Sequence, residues 1–207
     1  MIAQNATLSA GGADVKKLSI LLCLALVVTV AGCGPIIGQM MRATIGVKDF
    51  QVTQGSLNDL RPVKHLLVFA PFEKTDDAYF ICRGEDEANL AQELQKEKLF
   101  TSEFFMERDY GKGPQTLASL RLKTPEEVQG QLKLTSAPDA ILSGKILARD
   151  ENIAPTYGMI QELKLHLDLY NLRTKKTVSV EIAVKELHQT TMTMIVSELK
   201  RRMEKNQ

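Results

Sequence analysis

The strongest constraint on the fold is a carboxyl-terminal segment in which apolar and polar residues alternate. It is Glu162–Leu187, ELKLHLDLYNLRTKKTVSVEIAVKEL. Because side chains alternate between the two faces of a strand, it predicts two antiparallel strands, each with one buried and one wet face. The turn is expected at Arg173–Lys176. The wet face should carry Lys164, His166, Asp168 and Tyr170 from one strand and Ser179, Glu181, Ala183 and Lys185 from the other.

The first clear element is the apolar stretch VKHLLVFAPF, Val63–Phe72. Its continuous apolar run predicts a strand that is buried on both faces. The following segment has acidic residues near its start and Lys96 and Lys98 near its end, an order that complements a helix dipole. We therefore expect a helix beginning at Glu85.

Further signals complete the order of elements. Phe104–Met106 predicts a short strand, and Thr124, Pro125 and Glu127 form a capping box that starts a helix running to about residue 134. A strand from Ala140 to about residue 149 and a helix from about 189 to 205 follow. The predicted fold is α+β, in the order β-α-β-α-β-β-β-α, with a mixed sheet of about five strands and helices mainly on one face.

The amino-terminal region has the features of an export signal. Lys16 and Lys17 precede the apolar run Leu18–Ala31, which is shorter than the roughly 20 residues that cross a bilayer. A positive region, a short apolar region and small residues at a cleavage point define a secretory signal peptide. A translation start near residue 15 would give this signal a more ordinary length.

The end of that run, Val30-Ala31-Gly32-Cys33, resembles the lipobox of bacterial lipoproteins. The resemblance implies that Cys33 becomes the first residue and carries a diacylglycerol group and an amino-terminal acyl chain such as palmitate. Two or more acyl chains give stable membrane anchoring. The residue after the cysteine is Gly34 rather than Asp, which by the same resemblance favours the outer membrane.

Cleavage before Cys33 divides the chain into a signal peptide at 1–32, a lipidated tether at 33–62 and one domain at 63–207. The tether contains a weak extended segment at Val47–Thr53. Cleavage removes two of the 26 cationic and one of the 25 acidic residues, so the mature chain is formally neutral. Neutrality argues against nucleic-acid binding. With Cys23 removed and Cys33 lipidated, Cys82 is the one remaining cysteine and is interpreted as a small buried residue.

Three segments resemble the TolB amino-terminal and CsgG-like lipoprotein domains. They are HLLVFAPFEK, APDAILSGKILARDE and LHLDLYNLRTKKTVSVE, and together they span about residues 63–187. The resemblance implies a role in envelope assembly, secretion or the regulation of wall synthesis, and not usually an enzyme. One departure is Lys175, which stands where the hairpin turn of that superfamily usually has glycine.

No catalytic or metal-binding spacing is recognisable. His65, His166 and His188 are far apart and belong to no zinc motif. The acidic group Asp76, Asp77, Glu85, Asp86 and Glu87 matches no EF-hand loop and is explained mostly as first-turn helix acids.

We therefore expect a non-catalytic lipoprotein, anchored in the outer membrane and facing the periplasm, that contacts another envelope protein. The contact is expected at the sheet edge or at the loops 110–115 and 152–157. The alternative is a lipoprotein that binds a small ligand or a cell-wall polymer. No cofactor or metal is expected, and self-association stays open. The candidate contact residues are Tyr110, Lys112, Gln115 and Tyr157.

Overall fold

The computed structural model describes residues 44–78, 84–109, 111–155 and 157–205. The larger of two units comprises Thr44–Ile153 and Met159–Gln207. Ala154–Gly158, which connects two strands, belongs to the other. The predicted signal peptide, the lipobox with Cys33, and the residues Cys82 and Tyr110 lie outside the described residues.

A mixed sheet forms the framework of the domain. Its spatial order is β1-β7-β6-β5-β2-β4, with the short β3 beside β5. β2 is parallel to β4 and β5, whereas β7 is antiparallel to β1 and β6. The strands are β1 (Gly46–Gln54), β2 (His65–Ala70), β3 (Glu73–Lys74), β4 (Thr101–Met106), β5 (Ala140–Ala154), β6 (Gly158–Asn171) and β7 (Thr177–Leu187).

Helices cover the sheet unequally. The longer helices α1 and α4 pack against one face, and the shorter α2 and α3 cover only the part of the other face formed by β2 and its neighbours. In the described ranges, no helix has the length and apolar character that a membrane span requires. The helices are α1 (Glu85–Lys96), α2 (Gly113–Leu122), α3 (Pro125–Leu132) and α4 (Thr191–Lys205).

The apolar run of β2 is buried on both faces, as the sequence predicts. Leu66 and Val68 enter the large core beneath α1 and α4. Leu67 and Phe69 point the opposite way, into a smaller core that includes Leu120 of α2 and Val128 of α3. The α+β class with helices mainly on one face is thus confirmed.

Within the described ranges the sheet has seven strands rather than about five. The largest correction concerns β1, because residues 46–54 were assigned to the tether but pair with β7, from Gly46 opposite Lys185 to Gln54 opposite Ser179. Leu57 and Leu60, also assigned to the tether, are buried in the core. The folded domain therefore begins before residue 63.

Two local predictions are confirmed in detail. The Thr124 side chain accepts a hydrogen bond from the N–H of Glu127, and the Glu127 carboxylate accepts one from the N–H of Thr124. The β6–β7 hairpin forms with Tyr170 opposite Thr177. Its turn holds Lys175 at a left-handed φ of 59°, the conformation for which glycine is the usual choice.

Candidate ligand-binding pocket

A pocket of about 220 Å³ lies where α2 meets the open face of the sheet. It forms at the border between the part of this face that α2 covers and the polar part formed by β5 and β6. Its floor and walls combine apolar and charged side chains, an arrangement typical of small-molecule sites. The lining residues are Phe69, Pro71, Glu73, Gly113, Pro114, Leu117, Arg121, Ser143, Gly144, Lys145, His166 and Asp168.

Asp168 is the centre of the polar network in the pocket. Its Oδ1 accepts a hydrogen bond from Ser179 Oγ at 2.5 Å and lies 3.1 Å from His166 Nε2. Its Oδ2 lies 4.0 Å from Arg121 Nη2. The serine donates to the carboxylate and not to the imidazole, so these groups are not arranged as a nucleophile activated by a base. Glu181 Oε1 lies 3.6 Å from the other ring nitrogen of His166.

Arg121 is held above the sheet from several sides. Its Nη2 donates to Ser143 Oγ at 3.1 Å, and Ser143 is only 7% exposed. The guanidinium carbon lies 5.4 Å from the centre of the Tyr170 ring, within the range of a cation–π contact. Arg121 Nε is buried and has no hydrogen-bond partner among the described residues. A buried unpaired donor is uncommon and costs free energy.

Three of the predicted contact residues lie in the described ranges. Lys112 precedes α2 and pairs with Asp109 at 2.6 Å. Gln115 lies in the first turn of α2, so the segment 110–116, interpreted from sequence as a flexible loop, is helical from residue 113. Pro114, which fits a first helical turn, explains this correction. Tyr157 belongs to the connection between β5 and β6, where its N–H donates to Ala154 O.

Two of the acidic residues at the start of α1 have structural partners. Asp86 pairs with Arg149 at 2.7 Å, and the Arg149 side chain is only 5% exposed. Glu87 is 2% exposed and accepts a 2.6 Å hydrogen bond from the N–H of Phe72. Burial raises the pKa of the Glu87 carboxyl above its ordinary value. These contacts fix α1 to the sheet.

The histidines are separate, as their spacing indicates. His65 Nδ1 lies 3.2 Å from Ser136 Oγ, and His188 Nδ1 lies 3.8 Å from Glu151 Oε1. His166 lies on the wet face of β6, as predicted. In the part of the chain that the structure describes, no group of three or more His, Cys, Asp or Glu side chains could hold a metal ion.

Sequence reasoning found only part of the pocket. His166 and Asp168 fall on the predicted wet face of the hairpin, whereas Ser179, predicted for the same face, is only 2% exposed and does not line the pocket. Sequence reasoning missed Arg121, Ser143 and Lys145, which come from two other elements. The available signal was the polar pair Ser143 and Lys145 inside an otherwise apolar strand, ILSGKIL, residues 141–147.

The pocket thus belongs to an α+β domain built on a mixed sheet. Neither a family model nor a curated protein matches the chain.

Among solved structures, a PelC variant from Paraburkholderia phytofirmans, a dodecamer, is similar at 12% identity over 75% of this chain and 96% of its own, with a TM-score of 0.45. A second PelC dodecamer from that organism is 12% identical. The match covers 76% of this chain and 92% of that chain, with a TM-score of 0.40. The hypothetical protein CT253 from Chlamydia trachomatis is 10% identical. The match covers 69% of this chain and 92% of that chain, with a TM-score of 0.31. Likenesses this distant carry no functional conclusion.

Proposed function

We propose that this protein is a non-catalytic lipoprotein of the bacterial outer membrane. It is anchored through acyl chains on Cys33, and its domain faces the periplasm, where it contacts another envelope protein. The observation that carries the proposal is the segment from Lys16 to Cys33, in which basic residues, a short apolar run and the lipobox occur in the required order. Each acyl methylene buried in the bilayer contributes about 0.8 kcal/mol to anchoring.

Replacement of the acylated residue tests the anchor. We expect Cys33→Ala to abolish incorporation of labelled palmitate, to leave the signal peptide uncleaved and to remove the protein from outer-membrane fractions. Cys82→Ala is the matched control, because it removes a cysteine and leaves Val30–Cys33 intact. A Cys33→Ala protein that still fractionates with the outer membrane would refute the anchor.

Contact with a partner is expected near the start of α2 and at the β5–β6 connection. The side chain of Lys112 is 66% exposed, and the edge strand β1 also presents mostly exposed residues. A strand at the edge of a sheet has backbone groups that can pair with another chain.

Site-specific photo-crosslinking in intact cells tests this contact. A photoreactive residue at position 112, 115 or 157 should give a discrete adduct with one envelope protein, and the exposed position 64 should not. An adduct with a second copy of the chain would show self-association. If none of the three positions gives an adduct with another protein at native expression, the result would count against the proposal.

A second candidate function is binding of a small ligand or a cell-wall fragment in the pocket beside α2. The observation in its favour is the 220 Å³ pocket, which combines polar and apolar lining side chains. Thermal unfolding with soluble cell-wall fragments is a direct test. A ligand that binds only the folded state raises the midpoint temperature, and fragments that leave it unchanged at millimolar concentration would speak against this function.

A further inference from the structure

The pocket beside α2 contains two cationic side chains whose charge is poorly neutralised. Within the described ranges, the one ion pair of Arg121 is with Asp168, at 4.0 Å. The Lys145 ammonium forms no hydrogen bond or ion pair with any residue that the structure describes. Arg121 also has its buried Nε without a partner. Both residues line the same cavity, so they can contact the same ligand.

The pocket also contains two carboxylates, and they differ in availability. Asp168 already accepts from Ser179 and lies within 3.1 Å of His166. Glu73 is exposed, and its Cα is the register partner of Lys145 across β3 and β5. An exposed ion pair contributes only about 0–1 kcal/mol, so Glu73 competes weakly with a bound anion for Lys145.

Apart from Ser143, His166 and two glycines, the rest of the lining is apolar and sets the shape of the occupant. Phe69, Pro71, Pro114 and Leu117 form this part. The cavity, about 220 Å³, is smaller than the roughly 300–1,000 Å³ of sites for drug-sized ligands. A ligand that fits is therefore small, with one polar end and a compact apolar body.

We propose that this pocket binds the carboxylate of a small amphiphilic acid, either free or as the carboxyl-terminal residue of a peptide. The carboxylate lies against Arg121 and Lys145, and the apolar body lies against Phe69 and Leu117. The planar guanidinium suits a carboxylate because it can donate two parallel hydrogen bonds. The proposal rests on the second candidate function, ligand binding in this pocket, and is independent of the lipid anchor.

Titration of the mature lipidated protein in a non-ionic detergent tests the proposal. The probes are isovalerate and N-acetyl-leucine, each matched with its uncharged amide, and the readout is the amide ¹H–¹⁵N shifts of Ser143 and Gly144. We expect each acid to bind about tenfold more tightly than its amide, the ratio for an interaction of about 1.4 kcal/mol. Binding of N-acetyl-leucine but not of isovalerate would identify the carboxyl terminus of a peptide as the ligand. Binding of both acids would show that the pocket also accepts free acids.

Three charge variants make the test specific. Lys145→Gln should weaken acid binding several-fold, Glu73→Gln should strengthen it, and the exposed Lys64→Gln should leave it unchanged. Equal affinity for acid and amide would refute the proposal that the ligand is a carboxylate. It would not contradict the second candidate function, ligand binding in this pocket. The absence of any shift at Ser143 and Gly144 with all four probes would overturn both. Equal effects of Lys145→Gln and Lys64→Gln would refute direct contact with Lys145.

Discussion

The buried carboxylate of Glu87 gives the sharpest test of how α1 is attached to the sheet. Glu87 lies in the first turn of α1, and its Oε1 accepts a 2.6 Å hydrogen bond from the N–H of Phe72, just after β2. Replacement by glutamine keeps an oxygen acceptor of nearly the same shape but removes the charge. Replacement by alanine removes the acceptor. The two substitutions separate the hydrogen bond from the charge.

The hydrogen bond sets the difference between the two variants. In Glu87→Ala the Phe72 N–H is left in a buried site without an acceptor, which costs about 1–3 kcal/mol. Glu87→Gln retains an acceptor and removes a carboxylate whose ionisation burial disfavours. We therefore expect Glu87→Gln to be more stable than Glu87→Ala by about 1–3 kcal/mol at neutral pH.

The charge sets the pH dependence. Burial raises the pKa of Glu87 in the folded protein above its ordinary value of 4.5, so the folded state keeps a proton that the unfolded chain has already released. The free energy of unfolding of the wild type should therefore fall, relative to Glu87→Gln, as the pH rises from the ordinary pKa to the folded one. Above the folded pKa the difference is constant.

Urea unfolding of the mature protein from pH 4 to 8, extrapolated linearly to zero denaturant, measures these differences. Subtracting the Glu87→Gln curve from the wild-type curve removes the contributions of all other titrating groups. The reasoning is refuted if the difference stays flat or grows with rising pH. It is also refuted if Glu87→Ala is as stable as Glu87→Gln, because the buried N–H of Phe72 would then need no acceptor.

Three other perturbations address single contacts, each measured by the same unfolding assay. Thr124→Ala removes the cap of α3 and should cost about 1 kcal/mol, whereas Thr124→Ser should cost much less. Asp139→Ala removes the acceptor of the Lys64 and His65 N–H groups, both at 3.0 Å, and should destabilise by about 1–3 kcal/mol at neutral pH. Burial raises the pKa of Asp139, but these bonds and the Arg173 guanidinium outweigh it and hold the pKa below 3.8. This contribution should therefore be lost as the pH falls through the folded pKa, which the unfolding assay detects when it is extended below pH 4. Gly144→Ala places a Cβ 2.9 Å from the His166 carbonyl oxygen and should cost about 1–3 kcal/mol; an unchanged stability would show that β5 and β6 separate freely.

The elements that the sequence predicts well are those whose signals are local. The capping box depends on residues three positions apart, and both of its hydrogen bonds are present. The alternation in Glu162–Leu187 predicts the faces of β6 and β7 because burial on one side imposes a period of two. The two-sided burial of β2 follows from its uninterrupted apolar run.

The elements that were missed depend on distant partners or on composition that suggests a turn. β1 pairs with β7 across more than a hundred residues of sequence, and most of its side chains are exposed, so it lacks an apolar pattern. Gly111 and Gly113 suggested a loop, but Leu120 packs into the smaller core and stabilises α2 there. Tertiary burial thus decides where local propensity is weak.

The pocket could not be predicted because it forms from residues of elements that are distant in sequence, above all α2, β5 and β6. At Gly144 there is no Cβ, and the position that one would occupy lies 2.9 Å from His166 O and 3.0 Å from Phe72 and Leu167 side-chain atoms. Glycine therefore allows β5 to approach β6 closely on either side of this point. Ser143 and Lys145, its neighbours, are brought to the same cavity as His166. A sequence pattern identifies the wet face of each strand, but only the order and register of the strands decide which polar groups can share a ligand.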